Sequence, residues 1–153
     1  MDAKGRVITM APTLSLGAYS AGDQVGGLLT LENALDSSSD TATVISVVVV
    51  DKAQQKAALD ILFFNAQPTL LSSDNGALSI SDSEMSGKFI GRVLIDASLY
   101  RDTQTSSDAT VAPVGLMVQG YRSETLYAVV QSQGTPTYTS TSDLTFRVAI
   151  AQD

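Results

Sequence analysis

The apolar residues of this chain fall in short β-type runs that alternate with loops rich in Ser, Thr, Asp and Gly. The strongest run, Val44–Val50, is almost entirely β-branched, and a continuous apolar run of this length is typical of a strand buried on both faces. Further strand candidates are Val25–Leu31, Ala58–Phe64, Phe89–Ile95, Val111–Val118, Leu126–Gln131 and Asp143–Ala151. Their regular spacing without βαβ alternation predicts an all-β fold, an antiparallel β-sandwich that is jelly-roll-like, with at most one short helical turn.

The connection after the strongest run is polar and short. We therefore predict that Val44–Val50 and Ala58–Phe64 pair as a hairpin around Asp51–Lys56. In the second of these strands the alternation places Leu59, Ile61 and Phe63 on one face and Ala58, Asp60, Leu62 and Phe64 on the other.

Two local signals add detail elsewhere in the chain. Ser81 followed by Glu84 has the spacing of a capping box, which predicts a helical turn at Asp82–Ser86. Pro113 lies inside a predicted strand, and because proline has no amide hydrogen to donate, this strand is expected at a sheet edge or to carry a bulge.

Length and composition predict one domain. The chain has a mass of 16.0 kDa, and its hydrophobic share of 44% is sufficient for a core. We assign residues 21–153 to a single β-sandwich domain and residues 1–20 to an N-terminal arm or first strand. The first segment is weakly patterned but contains Ile8, Met10, Leu14 and Leu16, whose apolar side chains need burial. We expect it to reach onto a partner or a neighbouring protomer.

The absent residue types restrict the possible chemistry. The chain has no His, Cys or Trp, so it has no side chain that titrates near neutral pH unperturbed and no thiolate for catalysis or for a soft metal. We predict no enzymatic activity, no cofactor and no metal site. The remaining conventional catalytic groups are carboxylates, and a facing pair among Asp51, Asp60 and Asp96 is the arrangement of a glycosidase. The favoured interpretation is that Asp51 and Asp96 end strands at solvent and that Asp60 faces outward or pairs with a Lys.

Charge argues against nucleic acid and membranes as partners. The net charge is −7, and the nine basic residues are scattered, whereas phosphate binding needs them clustered. No apolar run has the length of a transmembrane helix, and the N-terminal stretch is a poor signal-peptide core, so synthesis in the cytoplasm is expected. Only 16% of residues are charged, below the usual ~25%. Either much of the surface is covered in the working state, or the exterior is polar and hydrated.

Loops and tyrosines supply the remaining candidates. The loop Asp36–Asp40 and the turn Asp74–Gly76 offer oxygen ligands for Ca²⁺, but neither has EF-hand spacing, and solvated loops are the favoured interpretation. Four tyrosines in or beside predicted loops could anchor an interface or stack on a sugar, or simply have their rings in the core: Tyr100, Tyr121, Tyr127 and Tyr138. Tyr121 with Arg122 is the most interface-like pair.

Three stretches resemble a family of small virion proteins of tailed bacteriophages. They are TATVISVVVVDK at Thr41–Lys52 running into AALDILFFN at Ala57–Asn65, KFIGRVLID at Lys88–Asp96, and the closing QSQGTPTYTSTSDLTFRVAIAQD at Gln131–Asp153. The resemblance implies a virion structural protein, most plausibly a decoration or cement protein on the capsid exterior. It further implies the major capsid protein as a partner and a homo-oligomer, expected to be a trimer, over capsid-protein junctions.

Two other functions stay open at this stage. A jelly roll can also serve a tail or fibre as a module that binds host glycans. The carboxylate glycosidase is the third candidate, and it needs an acid in a cleft.

Overall fold

The computed structural model describes residues 4–38 and 40–153; Met1–Ala3 of the predicted arm and Ser39 of the predicted loop lie outside the described residues. The elements are β1 Lys4–Met10, β2 Gln24–Leu31, β3 Thr41–Asp51, β4 Leu59–Phe64, α1 Asp82–Lys88, β5 Phe89–Ile95, a 3-10 turn at Ala97–Leu99, β6 Arg101–Asp102, β7 Ser107–Val111, β8 Leu116–Gln119, β9 Leu126–Ser132 and β10 Leu144–Gln152.

The strands form two antiparallel sheets. One runs in the order β1-β10-β3-β7-β6, with β8 also paired to β3, and the other runs β2-β9-β4-β5. Strands β7 and β8 lie one after the other along the same side of β3, so they act as one interrupted strand. With the two-residue β6 set aside, each sheet has four strands connected as in a jelly roll, and the predicted fold class is confirmed.

The main core lies between the inner faces of the two sheets. Leu59, Ile61 and Phe63 of β4 point into it, as their alternation predicts, and Val47 and Val49 of β3 face them from the other sheet. All five side chains are fully buried. Burying a Leu, Ile, Val or Phe side chain contributes roughly 1.5–3 kcal/mol to folding, so this layer is a main source of the stability of the domain.

The predicted hairpin around Asp51–Lys56 is wrong. Strand β3 already pairs with β10 on one side and with β7 and β8 on the other, so it has no free edge for β4, which lies in the opposite sheet. The connection instead crosses between the sheets, with Gln54 and Lys56 at positive φ. A two-residue hairpin turn would instead have kept both strands next to each other in one sheet.

Asp51 organises this crossing. Its side chain is fully buried, not at solvent as the sequence led us to expect, and its carboxylate accepts hydrogen bonds from the backbone N–H groups of Ala53, Gln55 and Lys56 at 2.8–3.0 Å. A buried carboxylate needs such donors to replace its hydration. Asp51 is therefore a structural residue that fixes the path of the chain between the sheets.

The two remaining local predictions are confirmed in outline. Helix α1 begins after Ser81, whose Oγ accepts a hydrogen bond from the Glu84 N–H at 3.3 Å. Pro113 lies between β7 and β8, where four residues leave the ladder, and the strand lies near the edge of its sheet, bordered only by the two-residue β6. The single strand predicted over Val111–Val118 is thus divided in two.

The outer face of the four-stranded sheet is covered by residues 65–88, which connect β4 to β5. A second apolar cluster forms there around Leu62, Phe64 and Val129 of the sheet. The covering side chains that pack on them include Leu70, Leu78, Ile80 and Met85. We call residues 65–88 the cover segment.

The six-stranded sheet has no equivalent cover among the described residues. In the run Val44–Val50 the inward residues are buried, whereas Val48 and Val50 on the other face are only half-buried. The prediction that this strand is buried on both faces is therefore wrong for the single chain.

We predict that Asp51→Asn lowers the free energy of unfolding by about 1–3 kcal/mol, because the amide cannot accept from all three N–H groups and sets a donor against a donor. Urea denaturation at neutral pH measures the loss. Asp96→Asn is the matched control, since Asp96 is exposed and its replacement should change stability by no more than ~0.5 kcal/mol. Equal effects of the two substitutions would contradict the structural role of Asp51.

A second prediction concerns acid and the cover segment. Glu84 accepts from Lys88 at 2.7 Å and from the Thr69 N–H at 2.8 Å, and these partners, Lys88 first, lower the pKa of its carboxyl from 4.5 to about 2. A pKa lowered by folding means that the stabilisation is complete above pH 4.5 and is lost as the pH falls towards 2. Hydrogen exchange of residues 65–88 should therefore accelerate over this range, relative to the same amides in Glu84→Gln. Identical pH profiles in wild type and variant would contradict it.

Candidate interaction surfaces

The N-terminal residues proposed as an interface divide into two groups. Met10 and Leu14 are each only 3% exposed and belong to the chain's own core, so as interface residues they were wrongly predicted. Ile8 is half-buried against the same core, and Leu16 is 54% exposed. Strand β1 pairs with β10 over seven positions, and its alternation turns Ile8 and Met10 inward and Val7 outward. Leu14 lies beyond β1, where its backbone N–H donates to the Thr141 carbonyl at 2.9 Å and its side chain joins the core.

Tyr121 and Arg122 lie together at the tip of the turn between β8 and β9. Tyr121 is 55% exposed, and the Arg122 guanidinium lies over its ring, 5.2 Å from the ring centre. This distance is that of a cation–π contact. Arg122 has a φ of 58°, a conformation that is uncommon for a residue with a side chain.

Two backbone hydrogen bonds hold the base of this turn. The Gly120 N–H donates to the Asp40 carbonyl and the Leu35 N–H donates to the Glu124 carbonyl, both at 3.1 Å. Gly120 itself has no room for a side chain, because a Cβ there would lie 2.5 Å from Leu35 Cδ1. We call residues 120–125 the Tyr121 turn. These backbone hydrogen bonds fix the base of the turn, which lowers the conformational entropy that it would lose on binding.

The three candidate carboxylates are already engaged within the chain. Asp51 lies at the end of β3 in one sheet, whereas Asp60 lies in β4 of the other sheet and Asp96 directly follows the neighbouring strand β5. Asp60 pairs with Arg92 at 3.0 Å, not with a Lys, and also accepts from Gln133 at 2.8 Å. Asp96 is exposed and accepts from Ser98 at 2.6 Å. The structure does not bring the three together.

The other tyrosines are mostly core residues. Tyr100 and Tyr138 are buried, and burial raises the pKa of both hydroxyls. Tyr100 donates to the Ala57 carbonyl at 2.8 Å, and Tyr138 packs edge-on against Tyr19. Tyr127 is half-buried beside the second apolar cluster. Of the four tyrosines proposed from the sequence, Tyr121 is thus the one that presents most of its ring to solvent.

The two loops considered for Ca²⁺ have other roles. Asp36 forms an exposed ion pair with Lys4 at 3.3 Å. Asp74 accepts from the Tyr19 hydroxyl at 2.6 Å and from the Gly26 N–H at 2.7 Å, which ties the loop after β4 to the start of β2. Within residues 4–38 and 40–153, no three acidic side chains come together in a way that could hold a metal ion.

Two small cavities open at the surface. One of about 150 Å³ lies between the cover segment and the four-stranded sheet, with Leu62 and Met85 in its wall and Arg92 beside them. The other, of about 300 Å³, lies among loops near Lys56 and Pro136. Neither exceeds the lower end of the ~300–1,000 Å³ usual for ligand pockets. In the described part of the chain, no helix is long and apolar enough to cross a membrane.

The largest open feature is the uncovered face of the six-stranded sheet, which we call the outer sheet face. Directly opposed residues of an antiparallel ladder lie on the same face, so its members follow from the register. They include Val7, Thr9, Thr43, Ser46, Val48, Val50, Asp108, Thr110, Met117, Thr145, Arg147, Ala149 and Ala151. Most are small and uncharged, and Val7 and Met117 are 65% and 69% exposed.

Sequence reasoning missed the outer sheet face as a site. Its signal was present in the continuous apolar run of β3 and in the low share of charged residues. Which of the two sheets would be left open depends on the cover segment, whose packing has no strong pattern in the sequence.

Comparison with known proteins gives structural neighbours only. No family model matches the sequence, and no model of a tailed-phage family does so either. No curated protein matches it. The structure of infectious bursal disease virus, Gx strain, aligns over 98% of this chain and 32% of that chain, with 11% identity and a TM-score of 0.41. This chain therefore spans about a third of that protein.

Two further structures align over nearly the whole chain. One is the virus-like particle of extra small virus from the prawn Macrobrachium rosenbergii, with 10% identity, 99% and 79% of the two chains covered and a TM-score of 0.33. The other is Desmodium yellow mottle tymovirus, with 11% identity, 98% and 86% covered and a TM-score of 0.30. Identities and TM-scores this low carry no conclusion about function, and the jelly-roll assignment rests on the strand pairing.

Proposed function

We propose that this protein is a non-enzymatic structural component of a virus particle, a decoration protein that binds the capsid exterior and associates with itself. The assignment to a phage particle is supported by the sequence resemblance of Thr41–Lys52, Ala57–Asn65, Lys88–Asp96 and Gln131–Asp153. The assignment to a binding role is supported by the surfaces of the domain. The trimer expected from the resemblance stays a prediction.

The outer sheet face is the observation that carries the proposal. The four-stranded sheet is covered by residues 65–88, whereas the outer sheet face leaves Val48 and Val50 half-buried near its centre and Val7 and Met117 exposed elsewhere on it. A sheet face that leaves large apolar side chains such as Val7 and Met117 mostly exposed among small polar ones is a candidate interaction site, because burial of those side chains is favourable. A structural protein of a particle is covered by its neighbours in the working state.

The Tyr121 turn is the proposed contact with the capsid. Tyr and Arg are the residue types most often found at the energetic centre of protein interfaces. Here both lie on a rigid tip, at the end of the sandwich away from the crossing that Asp51 organises. Several copies bound to one lattice multiply a modest contact through avidity, which is how a decoration protein holds capsid subunits together.

The described carboxylates favour structure over catalysis. Asp51 is fully occupied by backbone donors, and Asp60 is held by Arg92 and Gln133. Oxygens that already accept several hydrogen bonds are poorly placed to activate a water molecule or a nucleophile.

The glycan-binding alternative is less favoured by the geometry. A sugar would stack on an exposed aromatic ring, and Tyr121 is the most exposed tyrosine that the structure describes. The Arg122 guanidinium already lies over that ring. A protein partner can use the stacked pair as it is, whereas a sugar ring would have to displace Arg122 from the face it covers.

We predict that Tyr121→Ser weakens binding to capsids by about tenfold or more, as expected when an interface anchor is truncated. Capsids assembled without this protein are mixed with the purified chain, and the bound fraction is measured by co-sedimentation over a range of concentrations. The remaining fold is checked by circular dichroism. Leu71→Ser is the matched control, because Leu71 is equally exposed at 66% but lies on the cover segment.

Three outcomes would count against the proposal. Wild-type binding by Tyr121→Ser would remove the turn from the capsid contact. A wild-type protein that fails to sediment with capsids, but labels phage tails or binds glycans on an array, would replace the decoration role with the fibre role. Hydrolysis of a host polysaccharide that is lost in Asp60→Asn would restore the glycosidase.

A further inference from the structure

We propose that two copies of this chain pack against each other through their outer sheet faces. The two-fold axis that relates them lies between the two faces, directly above Val48 and Val50 and roughly parallel to β3. Each Arg147 then lies near Asp108 of the other copy. The inference rests on the proposed self-association, sets a pair of copies in place of the trimer expected from the resemblance, and is independent of the capsid contact.

The register of the sheet places the two charges symmetrically. Arg147 of β10 lies opposite Val48, and Asp108 of β7 lies opposite Val50, so the two residues occupy the strands on either side of β3. With strands ~4.8 Å apart and residues ~3.4 Å apart along a strand, they are separated by roughly 10 Å across the sheet and 7 Å along it. The midpoint lies on β3 between Val48 and Val50.

A two-fold rotation about this axis carries the strands on one side of β3 to the opposite side of β3 in the partner. It places β10 of each copy over β7 of the other, so that Arg147 approaches the partner's Asp108 in two equivalent contacts. Arg147 and the partner's Asp108 are then still offset by two residues along the strand direction. The long Arg side chain and the ~30° angle between aligned packed sheets can accommodate this offset.

Both charges lack a partner within the single chain. In the part of the chain that the structure describes, neither Arg147 nor Asp108 has a side-chain hydrogen bond or an ion pair, although Lys4, Lys56, Lys88 and Arg92 all have one. Arg101 of β6 lies opposite Asp108 at the margin of the face, but no ion pair joins them. An interface with an uncharged centre and opposite charges beside it is the usual pattern for protein contacts.

The charge of the whole chain favours this face for self-contact. Two copies each carry −7 and repel where acidic surfaces meet. Arg147 and Asp108 sum to zero on the outer sheet face, and Arg101 adds one positive charge at its margin. This is therefore a surface on which two copies can approach without like-charge repulsion, and its pattern complements itself.

The area suits a reversible dimer. Four strands spaced ~4.8 Å apart, with 7 residues in β1, 9 in β10, 11 in β3 and the shorter β7 and β8 end to end, give at ~3.4 Å per residue a patch of roughly 500 Å² per copy, or about 1,000 Å² in total. Stable complexes commonly bury about 1,200–2,000 Å², so the dimer should lie at the weak end of specific association and depend on concentration.

The test is a charge exchange followed by sedimentation equilibrium of the full chain. Arg147→Glu and Asp108→Arg should each weaken dimerisation by about tenfold or more, since each sets like charges together twice. The double variant Arg147→Glu/Asp108→Arg should recover most of the lost affinity. Glu32→Arg changes the net charge as Asp108→Arg does and is its matched control, because Glu32 is exposed in the turn after β2 and its replacement should leave the dimer unchanged.

Val48→Lys gives a second, independent reading. It places a charge at the centre of the contact and should yield a folded monomer, with folding verified by circular dichroism. A wild-type monomer throughout the micromolar range and up to millimolar concentration would overturn the proposal. So would a trimer that ignores these substitutions, or a double variant as weak as the single ones. Loss of capsid binding with an intact dimer would instead refute the proposed function alone.

Discussion

Two stacked sheets have four faces, and each apolar face has to be removed from water by something. The inner faces cover each other, with side chains such as Phe63 and Val47 fully buried between them. The outer face of the four-stranded sheet is covered by residues 65–88, which place Leu78, Ile80 and Met85 over Phe64. The fourth face has no cover in the described chain. One sheet is thus covered on its outer face and the other is not, and this difference leaves the outer sheet face open for contact with another molecule.

The crossings between sheets depend on buried carboxylates at one end of the sandwich. Asp51 accepts three backbone N–H groups after β3, and Asp143 accepts from the Thr139 and Ser140 N–H groups before β10. The loops held by Asp51 and Asp143 are joined to each other, since the Lys52 N–H donates to the Asp143 carbonyl at 2.9 Å. In an enzyme such buried acids would suggest catalysis, but here their oxygens are occupied by the loops that they hold.

The sequence allowed the sandwich class to be predicted because its strand runs are short, regularly spaced and separated by clear loops. It could also predict the faces of β4, the cap at Ser81 and the disturbance at Pro113, since each depends on a few neighbouring residues. The hairpin at Asp51 was wrong because strand pairing is decided by distant strands such as β10 and β7. Met10 and Leu14 were wrongly predicted at an interface for the same reason, since Met10 is turned inward by the pairing of β1 with β10 and Leu14 is held against the core by a hydrogen bond to the distant Thr141.

The candidate site was harder to predict than the fold because it is defined by what remains open. A run such as Val44–Val50 indicates burial on both faces, but it does not say whether the second cover belongs to the same chain. The structure shows that the cover segment lies on the other sheet, which leaves Val48 and Val50 half-buried. The sequence signal for two-sided burial and the open face of the single chain are reconciled if the missing cover is another molecule. A domain that is stable with one face open, and that carries a rigid Tyr–Arg tip elsewhere, can use separate surfaces for its own copies and for a larger lattice.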